Sequence, residues 1–237
     1  MSKVRQTGQS RKKKTRADRN LSVKVKTAKG RKLSSTRWLQ RQLNDPYVEA
    51  AKKDGLRSRA AYKLIEIDDK HKILKPEHVV VDLGAAPGGW SQVAAERVGV
   101  NLDMNRVIAL DLSDMDAIPG VTFIKCDFYD ESCLQQLAEA LQGRAVSVVL
   151  SDMAAPATGH KNTDHLRIMG LCEAAFDFAR ETLSPGGCFL AKVLQGGTEN
   201  ELLHEMKQSF AKVVHVKPKA SRSDSSEKYV LATGFRS

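Results

Sequence analysis

No apolar run in these 237 residues approaches the roughly 18 needed to cross a bilayer. No signal-peptide core follows the basic N-terminus, so a cytoplasmic protein is expected. The four cysteines, Cys126, Cys133, Cys172 and Cys188, contain no C-x-x-C pair. They fall in predicted strands or helices, where a cysteine is usually a small buried hydrophobe, so neither a disulfide frame nor a zinc site is expected. The six histidines are scattered, and the closest pair, His160 and His165, has no third ligand nearby; no metal is expected. No internal repeat is apparent. The phosphate-loop pattern with Gly-Lys-Ser/Thr is missing, and so is G-x-G-x-x-G. Acids are scarce at one end only. Residues 1–35 carry 13 Lys/Arg and one acid, Asp18, whereas the remainder carries 25 basic and 27 acidic residues. The net charge of +10 therefore belongs to a tail and not to the folded body. That tail lacks aromatics and apolar periodicity and cannot bury enough surface to fold alone. A solubilising segment, a polyanion-binding arm around Arg11-Lys12-Lys13-Lys14, and a transit peptide are the three readings. The density of charge favours the arm, and no amphipathic stripe supports the transit peptide.

What is present centres on Val79-Val80-Val81-Asp82-Leu83-Gly84-Ala85-Ala86-Pro87-Gly88-Gly89-Trp90. Three valines and a leucine predict a strand covered on both faces. The glycines predict a sharp turn with close backbone approach to a ligand, and a helix over roughly 90–98 then points its free N–H groups at that turn. The pattern is that of an anionic or zwitterionic cofactor site. With phosphate loop and dinucleotide fingerprint excluded, S-adenosylmethionine (SAM) is the remaining common user of this arrangement. A second predicted strand, 106–110, ends in Asp111, which lies 22 residues past Gly89 and near the offset of about 20 at which an acid meets a ribose hydroxyl. A third, 121–125, ends in Cys126-Asp127, and Asp127 is placed to accept from an adenine amino group.

Further along, a helix over 130–142 and a strand over 146–150 lead to Ser151-Asp152-Met153. A long helix follows with the apolar stripe Leu166, Met169, Cys172, Phe176, Ala179 and Leu183, stopped by Ser184-Pro185-Gly186-Gly187. The fifth strand, 188–194, holds Lys192 in an otherwise apolar run, which is costly unless that lysine is paired or used. A helix over 199–210 precedes strands at 213–216 and 229–232, joined by a basic loop. Before the core, Pro46 opens a helix to about residue 53. Ser58 is a candidate N-cap for the next helix, which packs through Tyr62, Leu64, Ile65 and Ile67 and leaves Arg57, Arg59 and Lys63 as a cationic cluster. Alternating strands and helices predict a doubly wound, mainly parallel α/β sheet with an antiparallel C-terminal edge strand, and ligands across its carboxyl edge.

Five segments in order carry a resemblance: Ser58 to Leu64, Asp82 to Gln92, Ser151 to Ala154, Lys192 to Gly196, and Ser226 to Tyr229. Together they resemble the FtsJ/RrmJ (RlmE) family of SAM-dependent ribose 2′-O-methyltransferases of large-subunit rRNA, over about residues 35–234. The resemblance implies a Rossmann-like SAM-dependent methyltransferase fold, with the tail at 1–35 outside a single domain at 36–237. It implies a catalytic set of Lys63, Asp152, Lys192 and Glu227, and cofactor contacts at Gly88, Trp90, Asp111, Asp127 and Asp152. Its implied substrate is the A-loop uridine of 23S rRNA in the 50S subunit. Nothing in the sequence suggests an obligate dimer, so a monomer is expected, and the methyl transfer requires no metal. Two departures stand out: the stretch 100–105 is longer than usual, and Met-Ala-Ala-Pro follows Asp152 where Met-Ala-Pro-Asn is usual. Lys192 either takes the proton of the 2′-hydroxyl or orients it and steadies the oxyanion. Arg57, Arg59, Lys217, Lys219 and Arg222 are candidates for RNA phosphates. Two other readings are a tRNA ribose methyltransferase and a non-catalytic ribosome-assembly factor on the same fold.

Overall fold

The structure is a computed structural model that describes residues 25, 30, 33–100, 104–156, 158–194, 199–223 and 225–236. Most of the basic tail, and Gln195 and Gly196 of the fourth resembling segment, lie outside the described residues. The chain divides into two units, residues 1–50 and 51–237.

In the first unit α1 spans Leu33–Leu43 and α2 (Pro46–Lys53) begins. Proline at the first helical position has no N–H to leave orphaned, and the Asp45 carboxylate accepts from the Tyr47 N–H at 3.1 Å, which caps the turn. Val25 N–H donates to the Gln40 side chain at 3.1 Å.

The second unit runs α3 (Ala61–His71), β1 (Val80–Leu83), α4 (Gly89–Val98), β2 (Val107–Asp111), β3 (Val121–Lys125), α5 (Glu131–Leu141), β4 (Val146–Ser151), α6 (Lys161–Thr182), β5 (Leu183–Leu194), α7 (Glu199–Ser209), β6 (Phe210–Val216) and β7 (Glu227–Phe235). One seven-stranded sheet has the order β3-β2-β1-β4-β5-β7-β6. The first five strands are parallel; β7 is antiparallel to both β5 and β6. The C-terminal strand is thus antiparallel as predicted, and it inserts one place in from the edge, which β6 occupies. Each sheet face has its own core. Leu64, Ile67, Trp90 and Val93 of α3 and α4 cover one; Leu137, Met169, Phe176 and Met206 of α5, α6 and α7 cover the other. All four residues of β1 are buried, as its unbroken apolar run requires.

Four expectations change. Ser58 caps nothing: the N-cap of α3 is Ala60, without a side-chain hydrogen bond. Leu166 is exposed, so the buried stripe of α6 begins at Met169. Ser184 to Gly187 end the helix as predicted but continue directly into β5 as an irregularity, the register stepping from Val146↔Leu183 to Val148↔Cys188. And Cys126 is bonded to Cys133. The reversal between β3 and α5 brings two cysteines seven residues apart face to face, a proximity that no spacing motif encodes. Cys172 and Cys188 are free and buried. Among the described residues no helix is long and apolar enough to cross a membrane.

Candidate active site

Parallel strands deliver their carboxyl ends to one edge, and there a cavity of about 740 Å³ opens. Gly84, Asp111, Asp127 and Asp152, which follow or end β1, β2, β3 and β4, all line it. Gly84 has φ +75°, and a Cβ there would lie 2.7 Å from Met153 Cγ and 2.8 Å from Met153 Cα, so the turn after β1 and the loop after β4 touch backbone to side chain. Asp111 is held by its neighbours: its two oxygens accept from Ala86 N–H at 2.9 Å and Ser113 N–H at 2.7 Å. Asp127 accepts from Tyr129 N–H at 3.0 Å. Each carboxylate keeps lone pairs for a ligand.

Gly88 and Trp90 are placed differently. A Cβ on Gly88 would meet Ile118 and Met115, not the cavity. Trp90 is buried against the Tyr229 ring, centroids 5.5 Å apart, and its indole N–H donates to Ala60 O at 2.9 Å. Both shape the turn from behind.

Beside the cavity the four polar residues of the expected catalytic set meet. Lys192 Nζ lies 2.8 Å from Asp152 Oδ1 and donates to Asp152 O, also at 2.8 Å. Lys63 Nζ lies 2.8 Å from Glu227 Oε1 and 4.0 Å from Asp152 Oδ2. A fifth member joins them. Tyr229 O–H accepts from Lys63 Nζ at 3.0 Å and donates to Asp152 Oδ1 at 2.8 Å. Cross-strand pairing of Lys192 with Tyr229 sets this contact. Tyr229 ends the fifth resembling segment and is assigned no role by the sequence; the signal it offers is a phenol two residues after a glutamate in a strand, whose side chains share a face. Burial pushes the Tyr229 phenol well above its usual range, and the charges of Asp152 and Glu227 push the same way, so it stays a donor. Burial by itself would raise the Asp152 carboxyl; the ammonium groups of Lys192 and Lys63 and the hydrogen bonds from Lys192 and Tyr229 outweigh it and hold that carboxyl below the ordinary range.

The expected cationic cluster is used otherwise. Lys63 is buried in this network, not exposed. Arg57 donates to Asp116 O at 2.7 Å and Ala117 O at 2.6 Å, and Arg59 to Ala220 O, so both arginines tie loops together. Lys217 donates to Ser225 O at 2.8 Å. Lys219 is exposed. Among the described residues no three His, Cys, Asp or Glu side chains gather to hold a metal.

Asp82 lies under the glycine turn. It is fully buried; Ser91 Oγ–H donates to Oδ2 at 2.6 Å, and Oδ1 has no partner. Burial pushes its carboxyl up from 3.8 to about 7, with Asp152 and Asp111 adding to the rise and the Ser91 hydrogen bond opposing it. The folded state therefore holds a proton that the unfolded state releases near pH 4, and stability falls as pH rises from about 4 to 7. Asp82→Asn carries no such proton. Its melting temperature relative to wild type should climb across that window, by about 1.4 kcal/mol of stability per pH unit at most. Parallel Tm–pH curves for the two proteins would refute the assignment.

The sheet order, the glycine turn and the carboxylates of three successive strands define a methyltransferase of the doubly wound class. The FtsJ-like methyltransferase family model matches residues 56–235, and the chain belongs to that family. It is 61% identical to the ribosomal RNA large subunit methyltransferase E of Parvibaculum lavamentivorans, over 97% of this chain and 92% of that one. It is 59% identical to the protein of the same name from Paramagnetospirillum magneticum, over 92% and 90%. A crystal structure described as a ribosomal RNA methyltransferase of Plasmodium falciparum superposes with a TM-score of 0.66 at 35% identity, covering 76% of this chain and 98% of that one. Membership of this family implies a methyl donor.

Proposed function

We propose that the chain transfers a methyl group from SAM to the ribose 2′-oxygen of the A-loop uridine of 23S rRNA, in the 50S subunit. The observation that carries this reading is the buried Lys192–Asp152–Tyr229–Lys63–Glu227 network standing at the edge of a cavity walled by carboxylates. Three acids, Asp111, Asp127 and Asp152, suit a ligand bearing a sulfonium and an ammonium. Asp111 is the partner for ribose hydroxyls and Asp127 for the adenine amino group, while Gly88 and Trp90 act by holding the turn. When bound, SAM supplies an electrophilic methyl on sulfur.

The chain's own work is alignment and one proton. Asp152 engages two positions on Lys192 Nζ, through its carboxylate and its carbonyl oxygen. What is left at Nζ, a third N–H in the ammonium or the lone pair in the amine, is directed to the 2′-hydroxyl. It steadies the developing oxyanion in the first case and takes the proton in the second. Tyr229 and Lys63 lock the Asp152 carboxylate that aims Lys192, and Glu227 neutralises Lys63. No step needs a metal. The same reading makes the protein a cytoplasmic monomer, with residues 1–35 a polyanion-binding arm ahead of the catalytic domain at 36–237.

Labelled methyl from SAM should go to 50S subunits lacking the modification, ahead of naked 23S rRNA and with none to bulk tRNA. Label on tRNA alone would keep the chemistry and overturn the substrate. SAM binding with no transfer to any of the three would favour an assembly factor.

A further inference from the structure

The cavity is also lined by a cation and an exposed ring that the chemistry above does not use. Arg167, on the second turn of α6, is the one basic side chain lining the cavity among the described residues. It is exposed, and no hydrogen bond or close ion pair joins it to another described residue. It feels the charge of Asp164, but the oxygens of Asp164 already accept from Thr158 N–H and Oγ–H, each at 2.7 Å, and from Gly159 N–H at 3.3 Å. A guanidinium exposed at this wall takes an anion, either the carboxylate of SAM or a phosphate of the RNA; its exposure beside an exposed aromatic ring favours the phosphate, and SAM affinity separates the two. Tyr129 lines the same cavity with 64% of its surface exposed. Its ring is held in place from behind. It packs edge-on against Phe128 at 6.1 Å, and Phe128 packs edge-on against Phe178 at 5.7 Å. On α6, three residues past Arg167, the wall has room, since a Cβ on Gly170 would meet no protein atom within 4 Å.

Resting on the function proposed above, we infer that Tyr129 and Arg167 form an RNA subsite at the cavity mouth: an unpaired base beside the target stacks on the Tyr129 ring, and the backbone phosphate next to it takes the Arg167 guanidinium. An aromatic platform paired with a fork of N–H donors is how unstacked RNA strands are held. Stacking supplies affinity without base identity; the phosphate contact fixes the strand's position relative to Lys192.

The test uses the full chain, with 50S subunits lacking the modification as substrate and SAM binding measured by calorimetry. Arg167→Gln should raise KM for 50S subunits roughly tenfold or more, as loss of a charge-assisted hydrogen bond does. It should also lower the slope of log affinity against log salt by about one, and leave SAM affinity unchanged. Arg167→Lys should recover most of the salt slope. Tyr129→Leu should raise KM by a similar factor, and Tyr129→Phe should not. Weaker SAM binding in Arg167→Gln and Tyr129→Leu, with KM for 50S subunits unchanged, would overturn the inference and hand both residues to the cofactor; so would variants indistinguishable from wild type. A wild type inactive on 50S subunits would overturn the proposed function and this subsite together, whereas an active wild type with unaffected variants would overturn the subsite alone.

Discussion

Lys192→Ala should lose about 10²- to 10⁴-fold in kcat on 50S subunits while binding SAM as wild type does, the range expected when a positioned proton-handling group is removed. Lys192 does not line the cavity, so cofactor affinity has no direct reason to fall. The change also leaves Asp152 with Lys63, through 4.0 Å and the Tyr229 bridge, as its remaining charge partner. The fold should survive, because Asp152 keeps a donor and a cation. Asp152→Ala is the sharper disruption: it strands the largely buried Lys192 ammonium, while Lys63 keeps Glu227, and it should cost stability as well as activity, since unpaired buried charge is expensive. Single-turnover methyl transfer at saturating SAM, read beside calorimetric SAM binding, separates the two. A Lys192→Ala enzyme within a few-fold of wild type would remove the lysine from the reaction.

Gly84→Ala should abolish SAM binding and lower the melting temperature by several degrees. The position needs φ +75°, which a β-carbon disfavours by about 1–2 kcal/mol. The new Cβ would also sit 2.8 Å from the Cα of Met153, a backbone atom that cannot rotate away. To make room, the β4 loop that carries Asp152 and Met153 would have to move, and overpacking of that kind costs about 1–3 kcal/mol more. For a domain of this size the sum is worth roughly 10 °C. Gly170→Ala is the contrasting variant: inside α6 its Cβ meets no protein atom, so Tm should not fall, and the better helix propensity of alanine should raise it slightly. Equal behaviour of the two variants would refute the steric argument.

Much of this site was legible in the chain itself. Asp111, Asp127 and Asp152 line one cavity because each closes a predicted parallel strand, and strand ends are marked by local features: β-branched runs, then an acid, then a turn. Lys192 was conspicuous because a charge interrupts an otherwise unbroken apolar run. Those signals act within a few residues, where backbone hydrogen bonding and side-chain alternation decide the outcome. By the same logic the alternation of strands and helices determined the doubly wound parallel sheet.

Other features depend on partners far apart in sequence. Tyr229 reaches Asp152 across 77 positions and Lys63 across 166. Those contacts exist because β7 inserts beside β5, a strand order that no local pattern specifies. The assignment of Arg57 and Arg59 to loop carbonyls, the meeting of Cys126 with Cys133, and the retreat of Gly88 and Trp90 behind the turn follow from how loops pack on one another. Residue types and spacing thus determined which chemical groups stand at the sheet's carboxyl edge. Tertiary structure decided which of them touch, because a charge or hydroxyl is committed only by the neighbour that desolvates it.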